Sequence, residues 1–451
     1  MKAFLIITLL LFNPVLFFAQ TSMAVRYEPF SKDSLVNFIN RVSDKKITKF
    51  NSKYKKDVKA ILLDRNERMV EKIKDSGFIF DSKINQYVGK IFKEISASNP
   101  SIVPSDFYFL VDKSGVPNAS CYWNGIFTIN LGLLNFIQSD DELAAVIAHE
   151  IAHYQLNHSE NSMLRNLDLL HSKQTKKKAK AINRAHYGKN RAYLDLMEEL
   201  NYNFTKRSRK DELQADSLGF VFFKKTRFQK RAFVTALENL KNADSIVFNE
   251  NAQLKVHFNF ENYPFKEAWL VKDEALFNIK ESASDYKFDK DSMKTHPDIP
   301  LRIEVIKKML IGTDSESKSS NDSLPEIKKR ASLLVVQSAI DAKQIDFALY
   351  QTLVLYNRKE VDEKTFCAIT AKLLQSIYQL KEQHKFGRYI STMSAFSDEV
   401  NLDELRQFLH NLELKNIRKI GMNFCQKHAD VMGNDSDFIQ VKSYFNQLNQ
   451  K

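Results

Sequence analysis

The spacing of apolar side chains predicts helices over most of this chain and strands in one short region. Residues 20–75 read as a basic, amphipathic helical lead-in. The stretch YVGKIFKEISASNPSIVPSDFYFLVD then predicts a helix, a proline-marked turn and a strand from Phe107 to Val111 with alternating faces. Two further short strands, Ser120 to Trp123 and Ile126 to Ile129, flank Asn124-Gly125, a strong hairpin signal. The next helix starts at Ser139, with Glu142 three residues on as a capping box, and runs to about Asn157. A second helix holds SRKDELQADSLGFVFFKK. The small, polar run GTDSESKSSNDSLPE, closed by Leu-Pro, marks a linker at residues 312–325. Beyond it, residues 326–451 alternate apolar patches at helical spacing with short polar breaks. The fold expected is therefore mainly α with a small β-sheet, followed by an all-α domain of paired, repeat-type helices.

One apolar stretch does not belong to the fold. In MKAFLIITLLLFNPVLFFAQTS, Lys2 precedes an apolar run from Ala3 to Phe18 and a small residue, Ala19. That is the pattern of a signal peptide, residues 1–19. The run is broken at Asn13-Pro14 and is short for a ~20-residue membrane span, so a permanent anchor is the weaker reading. The mature chain is expected to be exported, periplasmic or membrane-peripheral. The three cysteines, Cys121, Cys367 and Cys425, have no Cys-x-x-Cys spacing, which excludes a cysteine zinc site. An oxidising compartment leaves a Cys367–Cys425 pairing open.

Charge adds a partner question. The net charge is +12, part of it concentrated in SKQTKKKAKAINRAHYGKNR, residues 172–191. A solvated loop and helix face is the plain reading; attraction to an anionic membrane surface or an acidic partner is the functional one. Nucleic acid is not an expected partner of an exported protein.

The chemistry lies in DELAAVIAHEIAHYQLNH. On a helix, His149 and His153 are one turn apart and about 40° apart around the axis, so both rings leave one face and suit adjacent positions on Zn²⁺. Glu150 is displaced to the side, where it reaches a water rather than the metal, as a general base must. A catalytic zinc needs a third protein ligand and an open position. DELQAD supplies Glu212 as that ligand, and Asp216, one turn on, can accept a hydrogen bond from the outer nitrogen of a ligating histidine. His158, His171, His186, His257, His384, His410 and His428 have no spaced partners and read as ordinary histidines.

Together these residues resemble the gluzincin metallopeptidases of the CAAX-prenyl-protease and HtpX type, and the soluble periplasmic, BepA-like branch that carries a helical repeat domain after the protease. The resemblance covers roughly residues 78–311, after a lead-in at 20–77. It rests on PNASCYWNGIFTINLGLL, SDDELAAVIAHEIAHYQLNH, SRKDELQADSLG and THPDIPLRIEVIKKM. It implies a zincin-like α+β fold and one Zn²⁺ per chain. The strand at Asn118 and Ala119 would pair with an extended peptide, Arg302 would bind substrate, and His296 would act at the cleft. The implied function is a zinc metalloendopeptidase that turns over misfolded or stalled envelope proteins, with possible contacts to the envelope assembly machinery through the C-terminal domain. The alternative is a latent protease acting mainly as a chaperone or interaction module through that domain. One departure stands out: Ser120, Cys121, Tyr122 and Trp123 fill a stretch that is small and glycine-rich in the family.

Overall fold

A computed structural model of the chain describes residues 32–50, 52–185, 187–241, 248–271, 299–312, 323–392 and 399–450. The expected signal peptide, His296 and most of the 312–325 linker lie outside them. Two basic helices lead in, α1 (Lys32–Lys49) and α2 (Lys55–Lys74). Their apolar faces cover one face of the sheet and continue onto Trp123 and the helix that holds Met163. Leu35, Ile39, Met69 and Ile73 pack on Phe78, Leu110 and Ile126. Ile47, Val58 and Leu62 pack on Trp123, Met163 and Leu167.

The sheet has four strands, β1 (Phe78–Ile79), β2 (Tyr108–Asp112), β3 (Ala119–Cys121) and β4 (Ile126–Asn130), in the order β1-β2-β4-β3. β2 and β4 run parallel, Tyr108 opposite Ile126, and β3 runs antiparallel to β4, Ala119 opposite Ile129. The β3–β4 turn needs a glycine. Gly125 has φ +85°, and a Cβ there would lie 1.9 Å from the Asp106 carbonyl oxygen. Between β1 and β2 comes α3 (Ser82–Ala97), capped by Asp81, whose side chain accepts from the Lys83 and Ile84 amides.

After β4 come α4 (Leu131–Phe136) and α5 (Asp140–Gln155). Ser139 Oγ accepts from the Glu142 amide at 3.1 Å, while Glu142 Oε2 accepts from the Gln138 amide, one residue outside the expected box. Then follow α6 (His158–Leu170), α7 (Lys173–Arg184), α8 (Lys189–Phe223) and α9 (Ala232–Leu240). The basic stretch forms α7, which buries none of its residues, and the start of α8.

The later helices are α10 (Leu254–Phe258), α11 (Ile299–Leu310), α12 (Leu324–Asp341), α13 (Ile345–Asn357), α14 (Glu363–Glu382), α15 (Val400–Asn411), α16 (Leu414–Lys427) and α17 (Ser436–Gln450). Two large cores result. One joins the sheet, α3, α5, α8, α9 and α11 with Leu324, Ile327, Ala331 and Leu334 of α12. The other is built from α13–α17, and into it run Phe258, Phe260, Phe265 and Trp269 from well upstream. No helix among the described residues is long and apolar enough to cross a membrane. Cys121, Cys367 and Cys425 are free thiols.

Candidate metal centre

α5 is the buried central helix of the first core. Leu143, Ala144, Ile147, Ala148 and Ile151 are all fully buried, which locks its rotation. That rotation turns His149 and His153 toward α8. The two Nε2 atoms lie 3.1 Å apart. Glu212 of α8 closes the triangle, with Oε2 at 3.6 Å from His149 Nε2 and Oε1 at 3.3 Å from His153 Nε2. Three lone-pair donors thus converge in one buried place, and His₂Glu is a donor set that suits Zn²⁺. α8 reaches this close because Gly219 lies against α5: a Cβ there would meet the His149 Cα at 2.9 Å.

The carboxylates of α8 are held from behind. Asp216 Oδ1 lies 2.8 Å from His149 Nδ1. Arg302 of α11 donates from Nε and Nη2 to the two Asp216 oxygens, at 2.6 and 2.8 Å, and its Nη1 lies 2.8 Å from Glu212 Oε2. Arg302 is only 1% exposed, so its guanidinium is committed to these carboxylates. Burial opposes the charge on Asp216, but the Arg302 pair and His149 outweigh it and hold its pKa below the ordinary value. Burial likewise opposes protonation of His149. The hydrogen bond and charge of Asp216, with Glu212, override it and raise the His149 pKa to about 10 in the metal-free site.

Glu150 is buried beside the triangle, and its Oε2 accepts from the Cys121 amide at 3.0 Å. β3 therefore supplies the group that orients this carboxylate. The bulky residues after Asn118-Ala119 have a structural explanation. Trp123 turns away from the site into the core made by the lead-in helices. Asn124 donates to Ser43 of α1 at 3.0 Å. Asn118 and Ala119 border an apolar cavity of about 50 Å³ lined by Leu133, Phe136, Val146, Phe233 and Leu237, with His149 and Glu150 on its wall. Glu142, also on its lining, accepts from Thr235 at 2.7 Å and from Asn239 at 3.1 Å.

Sequence reasoning missed one residue of the site. On an unbroken helix His158 would leave a face well away from His153. The helix breaks instead: Asn157 adopts φ +52°, and α6 begins afresh. His158 is turned back so that its Nδ1 lies 3.0 Å from His153 Nδ1. The signal was Asn157 itself, since asparagine tolerates the left-handed region better than most residues. A second grouping, Glu363, Cys367 and His428, lies in the other core. His428 Nδ1 is 3.3 Å from Glu363 there, and burial pushes the Cys367 thiol up to about 12, so at neutral pH this is a polar pair beside a protonated thiol.

The model of Peptidase family M48 matches residues 82–310, about half of the chain. A putative beta-barrel assembly-enhancing protease of Vibrio cholerae serotype O1 is 35% identical over 86 residues, 19% of this chain and 17% of that protein. The beta-barrel assembly-enhancing protease of Yersinia pestis is 28% identical over 85 residues, with the same shares. The match thus spans about one sixth of the length of these relatives.

Proposed function

The chain belongs to peptidase family M48, and on that footing we propose that it is a zinc-dependent metalloendopeptidase holding one Zn²⁺ on His149, His153 and Glu212. The observation that carries this reading is the convergence of those three side chains with Glu150 alongside. When bound, zinc supplies a Lewis acid that polarises the scissile carbonyl and lowers the pKa of water toward ~7. Glu150 takes the proton of the attacking water and hands it to the leaving amine. The Cys121 amide fixes the orientation of its carboxylate for both transfers. Asp216 holds His149 in the tautomer that leaves Nε2 bare. Arg302 offsets the two buried carboxylates, and we read it as their clamp rather than as a ligand of substrate.

β3 is an edge strand, and its pairing with β4 alternates. Asn118 accepts from the Asn130 amide and the Tyr122 amide donates to Ile126, so Ala119 and Cys121 turn their backbone groups outward. An extended peptide adding to this edge would pair with Ala119 beside the metal ligands. The apolar cavity would then take a side chain next to the scissile bond. His296 keeps its assignment to the cleft on the resemblance alone, either as an oxyanion donor or as an imidazole that would hold the metal's open position until substrate displaces it. The names of the relatives concern β-barrel assembly. We take misfolded or stalled envelope polypeptides as the substrates, an exported periplasmic location, and the helical domain as the part that engages assembly machinery.

Glu150→Gln keeps the size of the side chain and removes its basicity. We expect normal zinc content and casein cleavage slower by ~10²–10⁴-fold. Near-normal cleavage by the zinc-loaded variant, or wild-type cleavage that persists in a chelator, would remove this mechanism.

A further inference from the structure

The two ligand histidines are held by different means. His149 has a carboxylate on its outer nitrogen. His153 has another imidazole: the rings of His153 and His158 meet edge-on, centroids 4.9 Å apart, with the two Nδ1 atoms in hydrogen-bond range at 3.0 Å. His158 Nε2 in turn lies 3.3 Å from Gln214 Oε1, at the solvent edge of α8. His158 itself is buried, 6% exposed.

The protons in this row can be assigned. His153 Nε2 faces His149 Nε2 and Glu212, the metal position, and must present a lone pair there. Its proton is then on Nδ1. Two nitrogens share one hydrogen bond only if one of them is bare, so His158 Nδ1 accepts. The proton of His158 is left on Nε2, which faces an amide oxygen, an acceptor. Every position in the row is satisfied with both rings neutral.

We propose that His158 is the positioning residue of His153: it accepts the Nδ1 proton, fixes the metal-binding tautomer and ring angle, and is itself oriented by Gln214. Helix α8 then organises the whole centre. Glu212 ligates, Asp216 orients His149 directly, and Gln214 orients His153 through His158. The proposal rests on the zinc reading of His149, His153 and Glu212.

The test uses the full chain and zinc itself, in competition with a chromogenic chelator. Outer-sphere partners of ligating histidines are worth about 10–100-fold in metal affinity. His158→Leu fills the space without an acceptor and should weaken zinc binding by about that factor. His158→Gln restores an acceptor oxygen and should recover most of the loss. A packing role alone would not separate the two variants. Equal zinc affinity in His158→Leu and wild type, or equal loss in both variants, overturns the proposal. Failure of the wild-type chain to bind zinc would instead overturn the zinc reading beneath it. Should His158→Leu not fold, the ring nitrogens of the zinc-loaded wild type decide by ¹⁵N resonance. Protonated Nδ1 on His153 and protonated Nε2 on His158 are expected, and the reverse on His158 refutes the assignment.

Discussion

A buried histidine between two carboxylates is in competition for its own lone pair. In the metal-free site His149 carries a proton up to a pKa of about 10. Its ordinary value is 6.5, so the protonated ring stabilises the metal-free fold fully below pH 6.5, and that contribution is lost as pH rises from 6.5 toward 10. Zinc requires the neutral ring, so binding releases that proton. Between pH 6 and 8, zinc affinity should rise by roughly tenfold per pH unit from this group alone. Asp216→Asn removes the main partner of the proton. Its zinc binding should be weaker throughout and should also flatten above pH 7, as the His149 pKa falls back. Chelator competition at several pH values measures both, and an unchanged slope in Asp216→Asn would place the released proton on another group. At this scale the sequence made legible which side chains share one helix face and so come together: His149 and His153 with Glu150 beside them, then Glu212 and Asp216. It was not readable where the chain bends. The return of His158 depends on one backbone angle at Asn157, and the burial of Arg302 against Glu212 depends on how α11 packs.

Between elements, the site is a crossing of two helices, and Gly219 sets how near they come. A methyl group at that position would press on the backbone of α5, at the His149 Cα and the Ala148 carbonyl, which no rotamer change relieves. Gly219→Ala gains helix propensity, about 1 kcal/mol, but overpacking against backbone costs typically ~1–3 kcal/mol. The net expectation is a lower melting temperature and weaker zinc binding, because Glu212 moves away with α8. Gly89 provides the contrast. It lies within α3 with nothing within 4 Å of a new Cβ, so Gly89→Ala should stabilise by ~0.5–1 kcal/mol and leave zinc affinity alone. Equal effects of the two substitutions would mean the α5–α8 crossing does not depend on Gly219. The helices and the β3–β4 hairpin were legible from apolar period, capping residues and Asn124-Gly125. Their extents were less so: α8 begins at Lys189, inside the basic stretch, because lysine-rich sequence helps a helix without marking where its buried face starts.

Across the molecule, packing crosses the 312–325 boundary in both directions. Leu324, at its end, and Ile327, Ala331, Leu334 and Val335, which follow it, are buried in the core that holds α5. Phe258, Phe260, Phe265 and Trp269, which precede it, are buried among α13–α17. Polar contacts reinforce the first exchange: Arg330 donates to Asp81 at 2.5 Å, and Lys83 pairs with Glu326. Composition predicts a linker there, but composition reports local polarity, and the partners of an aromatic run such as Phe258 to Trp269 are set by residues such as Phe408, more than a hundred positions away. The consequence is quantitative. Burying each large apolar side chain contributes ~1.5–3 kcal/mol, and a domain's whole stability is ~5–15 kcal/mol. A chain ending at residue 312 loses four such side chains, Leu324, Ile327, Leu334 and Val335, and Ala331 from one core and exposes four aromatic residues that belong to the other, so it should be insoluble or poor in zinc. A full-length chain carrying an inserted cleavage site among residues 313–322 should behave differently. Once cut, its two pieces each still hold a part of the other's core, and they should co-elute on size exclusion with zinc retained. Separation of the cut pieces into two soluble, well-folded species would show that the two cores are independent and that these exchanged segments contribute little.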